Sequence, residues 1–390
     1  MVQHIYLQKE KSMRTLFIEF GYLSGNSGGV YASRTHINLF SSISEKFTLL
    51  YPWKHGMEPE RIHFEKIDSL LPVSDTRSKI RKFWDLCCGR VHRYRLDDSF
   101  FDKDRYDVVV FDNSVVSSRL IKKFKKSGIK TITIHHNYQI EYLKGDASKL
   151  LLLPLLFWTY IYEKTAVKYS DLNITLTQQD VDLLKGHYCK NATFDVLGVF
   201  EYQNNDLPEV DNNNQNNRFL ITGHLQSKQT EDSLIRWIKD YLPILRETIP
   251  NVQLTVAGFN PSEKLSDIII KAGACLIPSP QDMNPILKSA DYYICPTDCG
   301  GGLKLRIMDG LKAGLPVLTH NVSARGYEKM MQEDLVISYN NPESFKEGLQ
   351  KLMSKKHSKI DVQNIYRVNY NFDSGIRKIK EMLFIHKIRY

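Results

Sequence analysis

Short runs rich in β-branched and aromatic residues alternate with stretches of helical periodicity, and this alternation restricts the fold more than any other feature of the sequence. The strand-like runs are residues 15–20, 48–51, 107–111, 131–135 and 172–176, then 219–222, 253–257, 274–277, 292–295 and 316–319. Strands that alternate with helices form parallel, doubly wound sheets. The sequence therefore predicts an α/β protein with two Rossmann-like domains.

The boundary between the domains is predicted at residues 201–217, which hold seven asparagines and a proline and show no periodicity. A chain of 390 residues also exceeds what one core usually supports. We predict a first domain over residues 1–200 and a second over 218–370, followed by an amphipathic helix over 371–390. Ligands of such folds bind beyond the carboxyl ends of the strands, so we expect the domains to face each other across a cleft.

The net charge of +9 is concentrated in the first half, at residues 77–95 and 119–130. Apolar side chains interleave with the first of these basic clusters, namely Ile80, Phe83, Trp84 and Leu86. This pattern is typical of a basic amphipathic helix that binds an anionic membrane surface or phosphate groups. The alternative is a solvated helix whose apolar face lies in the core. Nucleic acid is not an expected partner.

The longest apolar run, residues 150–162, is interrupted by Pro154 and is too short to cross a bilayer. We expect a buried or interdomain helix there, or else a surface that dips into the membrane. The N-terminus lacks the pattern of a secretory signal, and the six cysteines lack zinc-ligand spacing. A cytoplasmic protein with free thiols is the expectation, and its basic apolar surfaces place it at the inner face of the membrane.

Two loops of the first domain follow predicted strands. One carries Gly21, Gly25, Gly28 and Gly29, and such glycines let backbone amides approach an anion or a sugar, although a plain turn explains them too. The other carries His136, Asn137, Tyr138 and Glu141 after a buried strand. Its side chains can bond sugar hydroxyls or move a proton, which predicts an acceptor-binding loop. The alternative is a polar cluster that only caps the strand.

The most specific motif is the run PTDCGGGLKLRIMDGLKAGLPVLT at residues 296–319. We expect the glycines Gly300, Gly301 and Gly302 to open a helix whose first amides bind phosphate. Lys304 and Arg306 supply cations for a diphosphate, and Asp309 can bind a pair of ribose or sugar hydroxyls. The structural alternative is a helix entry followed by a turn into the next strand.

This run resembles the donor-binding signature of GT-B glycosyltransferases of the family-four type. Asp309 stands in the place of the ribose-binding glutamate, and Gly301 stands where most members have a first glutamate, as in a branch with the form Gly-x-Gly-x-Lys. Other segments are similar to that branch over most of the chain. They carry Gly223, His224 and Lys228 in the phosphate loop, Gly258 at a strand exit, and His136 with Asn137 in the acceptor domain.

The resemblance implies transfer of a sugar from a UDP- or GDP-sugar to a glycan or lipid-linked glycan acceptor, with retention of configuration and without a metal or other cofactor. His136, Lys304 and Asp309 are the implied catalytic residues. Since a diphosphate leaving group gains negative charge, fixed cations would stabilise the transition state. Capsule or O-antigen assembly is the expected setting. Two alternatives remain open at this stage, a nucleotide-sugar 2-epimerase and an inactive module that binds a partner.

Overall fold

The computed structural model describes residues 13–24, 27–54, 64, 66–74, 77–88, 94, 96–146, 149–203, 207–208, 210, 217–355 and 357–388. The chain forms two compact units, one of Met1–Asn204 with Tyr370–Tyr390 and one of Asn205–Asn369. Each unit contains one parallel sheet with helices. The predicted α/β class with two Rossmann-like domains is confirmed.

The first domain holds a sheet of seven parallel strands in the order β3-β2-β1-β4-β5-β6-β7. These are β1 (Arg14–Glu19), β2 (Lys46–Trp53), β3 (Ser69–Ser74), β4 (Val108–Asp112), β5 (Lys130–His135), β6 (Leu172–Thr175) and β7 (Phe194–Val196). The order reverses between β1 and β4. A crevice opens beyond the carboxyl ends of the strands at such a reversal.

The helices of the first domain are α1 (Gly28–Ile43), α2 (Lys79–Cys87), α3 (Ser114–Lys126), α4 (Gln139–Asp146), α5 (Lys149–Tyr169), α6 (Gln178–His187) and α15 (Phe372–Ile385). Helix α15 belongs to this domain although it ends the chain, because its apolar stripe joins the core of the sheet. A Cβ at Gly375 would lie 2.8 Å from Leu39 of α1. The amphipathic helix expected after residue 371 is therefore fastened to the first domain by close packing.

The second domain holds six parallel strands in the order β10-β9-β8-β11-β12-β13, which reverses between β8 and β11. Its strands are β8 (Arg218–Gly223), β9 (Gln253–Gly258), β10 (Cys275–Pro278), β11 (Tyr292–Cys295), β12 (Val317–His320) and β13 (Val336–Tyr339). Its helices are α7 (Lys228–Asp240), α8 (Leu242–Thr248), α9 (Glu263–Lys271), α10 (Asn284–Ser289), α11 (Arg306–Lys312), α12 (Glu328–Gln332), α13 (Pro342–Ser354) and α14 (Lys359–Tyr370).

Sequence and structure differ at three strands and two loops. The strands β3, β7 and β13, absent from the prediction, are edge strands of three to six residues. The first two have weak apolar patterns, whereas three of the four residues of β13 are buried. Gly28 and Gly29 form the first turn of α1 rather than a loop, and Gly25 lies outside the described residues. The helix expected at the glycines of the second domain begins only at Arg306, so residues 300–305 form a loop before it.

Candidate functional site

The sequence folds so that two acids end neighbouring strands at the reversal point of the first sheet. Glu19 is the last residue of β1 and Asp112 the last of β4, and the two are partners in the register of the parallel pair. Both are almost fully buried, with 2% and 1% of their surfaces exposed. A buried carboxyl group needs donors or a proton, so the contacts of these acids define what the site can do.

Asp112 accepts hydrogen bonds at both carboxylate oxygens. Nε2 of His136, which directly follows β5, lies 2.6 Å from Oδ1, and the hydroxyl of Ser33 on α1 donates to Oδ2. Nδ1 of His36, one turn further along α1, lies 3.8 Å from Oδ1. The rings of His36 and His136 meet edge to face, with centroids 5.6 Å apart. Helix α1 and the segment after β5 thus converge on one carboxylate of β4.

Glu19, unlike Asp112, accepts hydrogen bonds at only one of its carboxylate oxygens. Its Oε1 accepts the backbone N–H of Gly21 at 2.7 Å, and the Ser33 hydroxyl lies 3.4 Å away. Its Oε2 is buried without a donor among the described residues. Burial raises the pKa of Glu19 well above its usual value, and the charge of Asp112 raises it further. Burial acts in the same direction on Asp112, but the charge and hydrogen bond of His136 outweigh it and hold the pKa of Asp112 well below its usual value.

The pKa values of the two adjacent histidines are shifted in opposite directions. Burial alone would lower the pKa of His136, but Asp112 raises it above its usual value. His135 lies inside the sheet, with Nε2 3.0 Å from the side-chain oxygen of Asn173, and burial lowers its pKa to about 4. The charged form is thus favoured for His136, whose side chain is 15% exposed, and disfavoured for His135.

His36, Asp112 and His136 also offer three possible metal-ligand atoms within 4.8 Å of one another. Two ligands about 2.1 Å from a tetrahedral ion stand about 3.4 Å apart. The 2.6 Å between Asp112 and His136 is shorter than this and is a hydrogen-bond distance. The arrangement is a hydrogen-bonded group, and no ion is assigned to it.

The rest of the predicted acceptor loop leads into α4, which begins at Gln139. Tyr138 is buried and its ring stacks on His187 with centroids 5.1 Å apart. Its backbone N–H donates to Asp180, and the next N–H donates to the buried Glu163. Asn137 and Glu141 are partly buried beside it. Burial raises the pKa of Glu163 to about 7.

The glycine run of the second domain follows β11, beside the reversal of that sheet. Gly300 and Gly302 have φ values of 84° and 69°, in the left-handed region where a side chain is strained. A Cβ at Gly300 would also lie 1.8 Å from the Gln229 side chain, which donates to the carbonyl of Cys299. The run is therefore a tight turn fastened to α7, with Gly301 between its two left-handed glycines.

Two cations follow this turn. Nζ of Lys304 donates to the carbonyl of Gly301 at 3.0 Å, while burial and then the nearby Arg306 and Arg325 lower the pKa of Lys304. The Arg306 guanidinium lies 3.3 Å from the Thr297 hydroxyl and 3.4 Å from that of Thr230. These contacts are with carbonyl and hydroxyl oxygens, so neither cation is neutralised by a carboxylate contact within the part of the chain that the structure describes.

Close backbone approach makes room for Arg306. A Cβ at Gly223, the last residue of β8, would lie 2.9 Å from the guanidinium, and one at Gly258, the last of β9, would lie 2.0 Å from the carbonyl of Gly223. The two predicted glycines are thus brought to one edge with Arg306.

The remaining predicted donor residues lie further out. His224 is exposed and rests on Phe259, with ring centroids 5.2 Å apart. Lys228 begins α7 with its side chain 87% exposed and pairs with Asp232 at 2.9 Å. Asp309 is an exposed residue of α11.

Several residues of these sites were not predicted. In the first domain they are Glu19, Ser33, His36 and Asp112, and in the second they are Gln229 and Arg325. The end of a buried β-branched run, which singled out His136, would also have singled out Asp112. Helix residues such as Ser33 carry no comparable signal.

The basic cluster around α2 exposes its apolar side. Ile80, Phe83 and Trp84 are exposed on α2, and Leu153 and Phe157 are exposed on α5, which contacts α2 through a hydrogen bond from Trp158 to the carbonyl of Cys87. The core placement weighed for α2 is wrong for these three side chains, and Leu153 and Phe157 of α5 are not buried as expected. Among the described residues, no helix is long and apolar enough to span a bilayer.

A family model matches most of the second domain. Residues 202–355 match the family model of glycosyl transferases group 1. An uncharacterised 44.6 kDa protein in the cps region of Klebsiella pneumoniae is 22% identical over 336 residues, which cover 80% of this chain and 84% of the relative. The match to the family model supports a glycosyltransferase.

Solved structures show the fold. Anabaena Alr3699/HepE in complex with UDP superposes with a TM-score of 0.62 at 11% identity, covering 96% of this chain and all of that one. Sucrose-phosphate synthase from Thermosynechococcus elongatus gives 0.67 at 10% identity, covering 95% and 98%. At this identity the likeness is one of fold, and it supports the GT-B class predicted from the sequence.

Proposed function

We propose that this glycosyltransferase moves a sugar from a nucleotide-diphosphate sugar to a glycan or lipid-linked glycan acceptor in the assembly of a surface polysaccharide, such as a capsule or O-antigen. The group 1 match over the second domain and the relative from a cps region support this setting. The second domain would bind the donor, and the His136 loop of the first domain would bind the acceptor.

The observation that carries the proposal is the pair of cations beside the glycine turn. Lys304 and Arg306 lie at the carboxyl edge of the second sheet and contact no carboxylate among the described residues. The lowered pKa of Lys304 means that its charge is poorly compensated in the free protein. A diphosphate would supply two adjacent groups of opposite charge and would gain charge-assisted hydrogen bonds from both. UDP is bound by Anabaena Alr3699/HepE, which has the same fold.

Loss of a diphosphate from the sugar leaves negative charge on the leaving group, and fixed cations can stabilise that charge without a divalent ion. We extend the proposal to metal independence on this ground and to retention of configuration on the resemblance to the family-four type. Asp309 would bind hydroxyl groups of the donor, and His224 and Lys228 would lie at the rim of its site.

Thermal denaturation with nucleotides tests the donor site. The purified chain is melted with UDP, GDP, ADP and CMP and with sugar nucleotides, with and without a chelator, because selective binding stabilises the folded state. We expect one diphosphate to raise the melting temperature in the presence of chelator, and Lys304→Ala and Arg306→Ala to abolish the rise. The matched control is Lys271→Ala, which removes an exposed cation of α9. If no nucleotide raises the melting temperature of the wild type, the donor site is refuted.

A lipid-linked acceptor would bring the enzyme to the inner face of the membrane, and the exposed surface of α2 and α5 fits such a contact. Trp84 is 61% and Leu153 78% exposed, and Lys79, Arg81 and Lys82 are exposed on α2. Apolar side chains among basic ones bind the interface of an anionic bilayer. We therefore include peripheral membrane contact through this surface in the proposal.

Sedimentation with vesicles tests the contact. The protein is expected to pellet with phosphatidylglycerol vesicles more than with phosphatidylcholine vesicles, and the double variant Phe83→Ser, Trp84→Ser should lose most of this binding. The control is Phe384→Ser with Ile385→Ser on α15, which removes two exposed apolar side chains elsewhere on the domain. Equal binding by the two double variants would refute the contact through α2.

A further inference from the structure

We propose that Glu19 and Asp112 share one proton and together hold His136 as an imidazolium ion, which makes both acids positioning residues for the proposed sugar-transfer reaction. The inference rests on the proposed function only where it assigns a use to His136. The state of the three groups follows from contacts within the first domain.

The contacts decide which acid carries the proton. Both oxygens of Asp112 accept hydrogen bonds, from His136 and from Ser33, so Asp112 is bonded as a carboxylate. Glu19 accepts at Oε1 from the Gly21 N–H, while its buried Oε2 meets no donor among the described residues. A buried carboxylate oxygen without a donor is unfavourable, whereas a protonated oxygen can donate to a neighbouring carboxylate. Asp112, its register partner and electrostatic neighbour, is the acceptor available.

Electrostatic repulsion limits the pair of Glu19 and Asp112 to one negative charge. Two carboxylates at neighbouring strand ends repel each other strongly when both are removed from water, so the second ionisation is suppressed. The remaining charge lies 2.6 Å from Nε2 of His136. Removing the proton from this ring would leave the charge of Asp112 buried without a counter-ion.

The groups around Asp112 and His136 come from four elements. Glu19 comes from β1, Ser33 and His36 from α1, Asp112 from β4 and His135 from β5. His135 is neutral at physiological pH and adds no charge. Asp112 is thus the one carboxylate in contact with the ring among the described residues.

An imidazolium ion donates hydrogen bonds from both nitrogens and accepts none. Since Nε2 of His136 is bonded to Asp112, Nδ1 is the nitrogen left to donate to a ligand, and the ring is partly exposed. The groups that fit are oxygen acceptors, such as sugar hydroxyls or phosphate oxygens. His136 would therefore hold and orient the substrate rather than remove a proton from it.

Nuclear magnetic resonance of the full chain with labelled histidine tests the inference without any substrate. The signal of His136 among the twelve histidines is identified by its loss in His136→Gln. We expect its titration midpoint to lie above the reference of about 6.5, and to fall below that reference in Asp112→Asn. Glu19→Gln, which keeps a donor next to Asp112, should leave the midpoint close to that of the wild type. The control is Asp107→Asn, at the opposite end of the strand β4.

Three results would overturn the proposal. A wild-type midpoint at or below the reference shows that His136 is not held protonated, and this measurement does not depend on whether Asp112→Asn folds. A large fall in Glu19→Gln shows that Glu19 is itself ionised. A purified chain that carries one equivalent of metal, lost in Asp112→Asn, shows that the three side chains bind an ion. If the titrations come out as expected while no nucleotide binds, the proposed function fails and the shared proton stands.

Discussion

The two sheets place charge at the same position of the fold and treat it in opposite ways. At the reversal of the first sheet, the charge of His136 is met by Asp112 within the protein. At the reversal of the second sheet, Lys304 and Arg306 contact only carbonyl and hydroxyl oxygens among the described residues. A site that is neutralised internally depends on its own side chains for stability. A site left cationic gains its partner from the ligand.

The largest effect expected from this difference is on the stability of the first domain. Asp112→Ala leaves His136 without its carboxylate and Ser33 with only its longer contact to Glu19, so we expect a loss of about 3–5 kcal/mol in the free energy of unfolding. Urea denaturation followed by circular dichroism measures it. His136→Gln should restore part of the loss in the double variant, because the uncompensated charge is gone. A loss below about 1 kcal/mol would mean that the first site is not stabilised by this pair.

The buried acid Glu163 gives the first domain a pH dependence of its own. Its pKa is raised to about 7 in the folded state from 4.5, so between these values the folded chain binds more protons than the unfolded one. Stability is therefore expected to fall as pH rises from about 4.5 to 7, by about 3 kcal/mol on the usual conversion of 1.36 kcal/mol per pKa unit. Urea denaturation at pH 5 and pH 7.5 should show this fall in the wild type and a much smaller one in Glu163→Gln.

Asp298 in the second domain should make stability rise with pH, opposite to the effect of Glu163. Asp298 pairs with Arg236, which outweighs burial and lowers the pKa of Asp298 to about 2. This contribution is present above pH 4 and is lost as pH falls towards 2.

Glu45→Gln, at an exposed position of the first domain, is the control for Glu163→Gln and should leave the fall in stability between pH 5 and pH 7.5 unchanged. Equal slopes in the two variants would remove Glu163 as the source.

The sequence predicted the sheets because parallel, buried strands are continuous apolar runs that need no tertiary information. It also predicted His136, since a polar residue directly after such a run must lie at the sheet edge. The partner relation between Glu19 and Asp112 could not be predicted, because it depends on the register of two strands about ninety residues apart. Glu19 ends a strand and precedes Phe20 and Gly21, so it lacks the polar neighbours that marked the His136 loop.

The glycine motif of the second domain was recognised, but its geometry was not. The helix begins six residues after Gly300, because left-handed glycines at 300 and 302 turn the chain before it. The apolar side of α2 illustrates a different limit. An amphipathic pattern states that one side of a helix is apolar, and the rest of the fold decides whether that side meets the core or the solvent.

Removing a cation from the second site should weaken ligand binding without reducing stability. Lys304→Met removes a cation that is partly buried near Arg306 and Arg325, so the free energy of unfolding should stay the same or rise. Binding of the nucleotide diphosphate should weaken by about 10- to 100-fold, since a hydrogen bond to a charged group contributes about 1.5–3 kcal/mol. Calorimetric titration of the nucleotide identified by the melting screen measures the change. A variant that loses stability as Asp112→Ala does would erase the contrast between the two sites.

The smallest effects on stability are expected from alanine substitutions at one glycine of each domain. Gly258→Ala places a Cβ 2.0 Å from the carbonyl of Gly223, so the ends of β8 and β9 must move apart, and we expect a loss of about 1–3 kcal/mol. Gly29→Ala meets nothing within 4 Å in the first turn of α1 and should stabilise the chain by up to about 1 kcal/mol. Urea denaturation of both variants compares them directly. If Gly29→Ala destabilises the chain as much as Gly258→Ala, then the first site also depends on close backbone approach. In that case the first site is not built mainly from side chains, and it does not differ in this way from the second site, which is built around glycines.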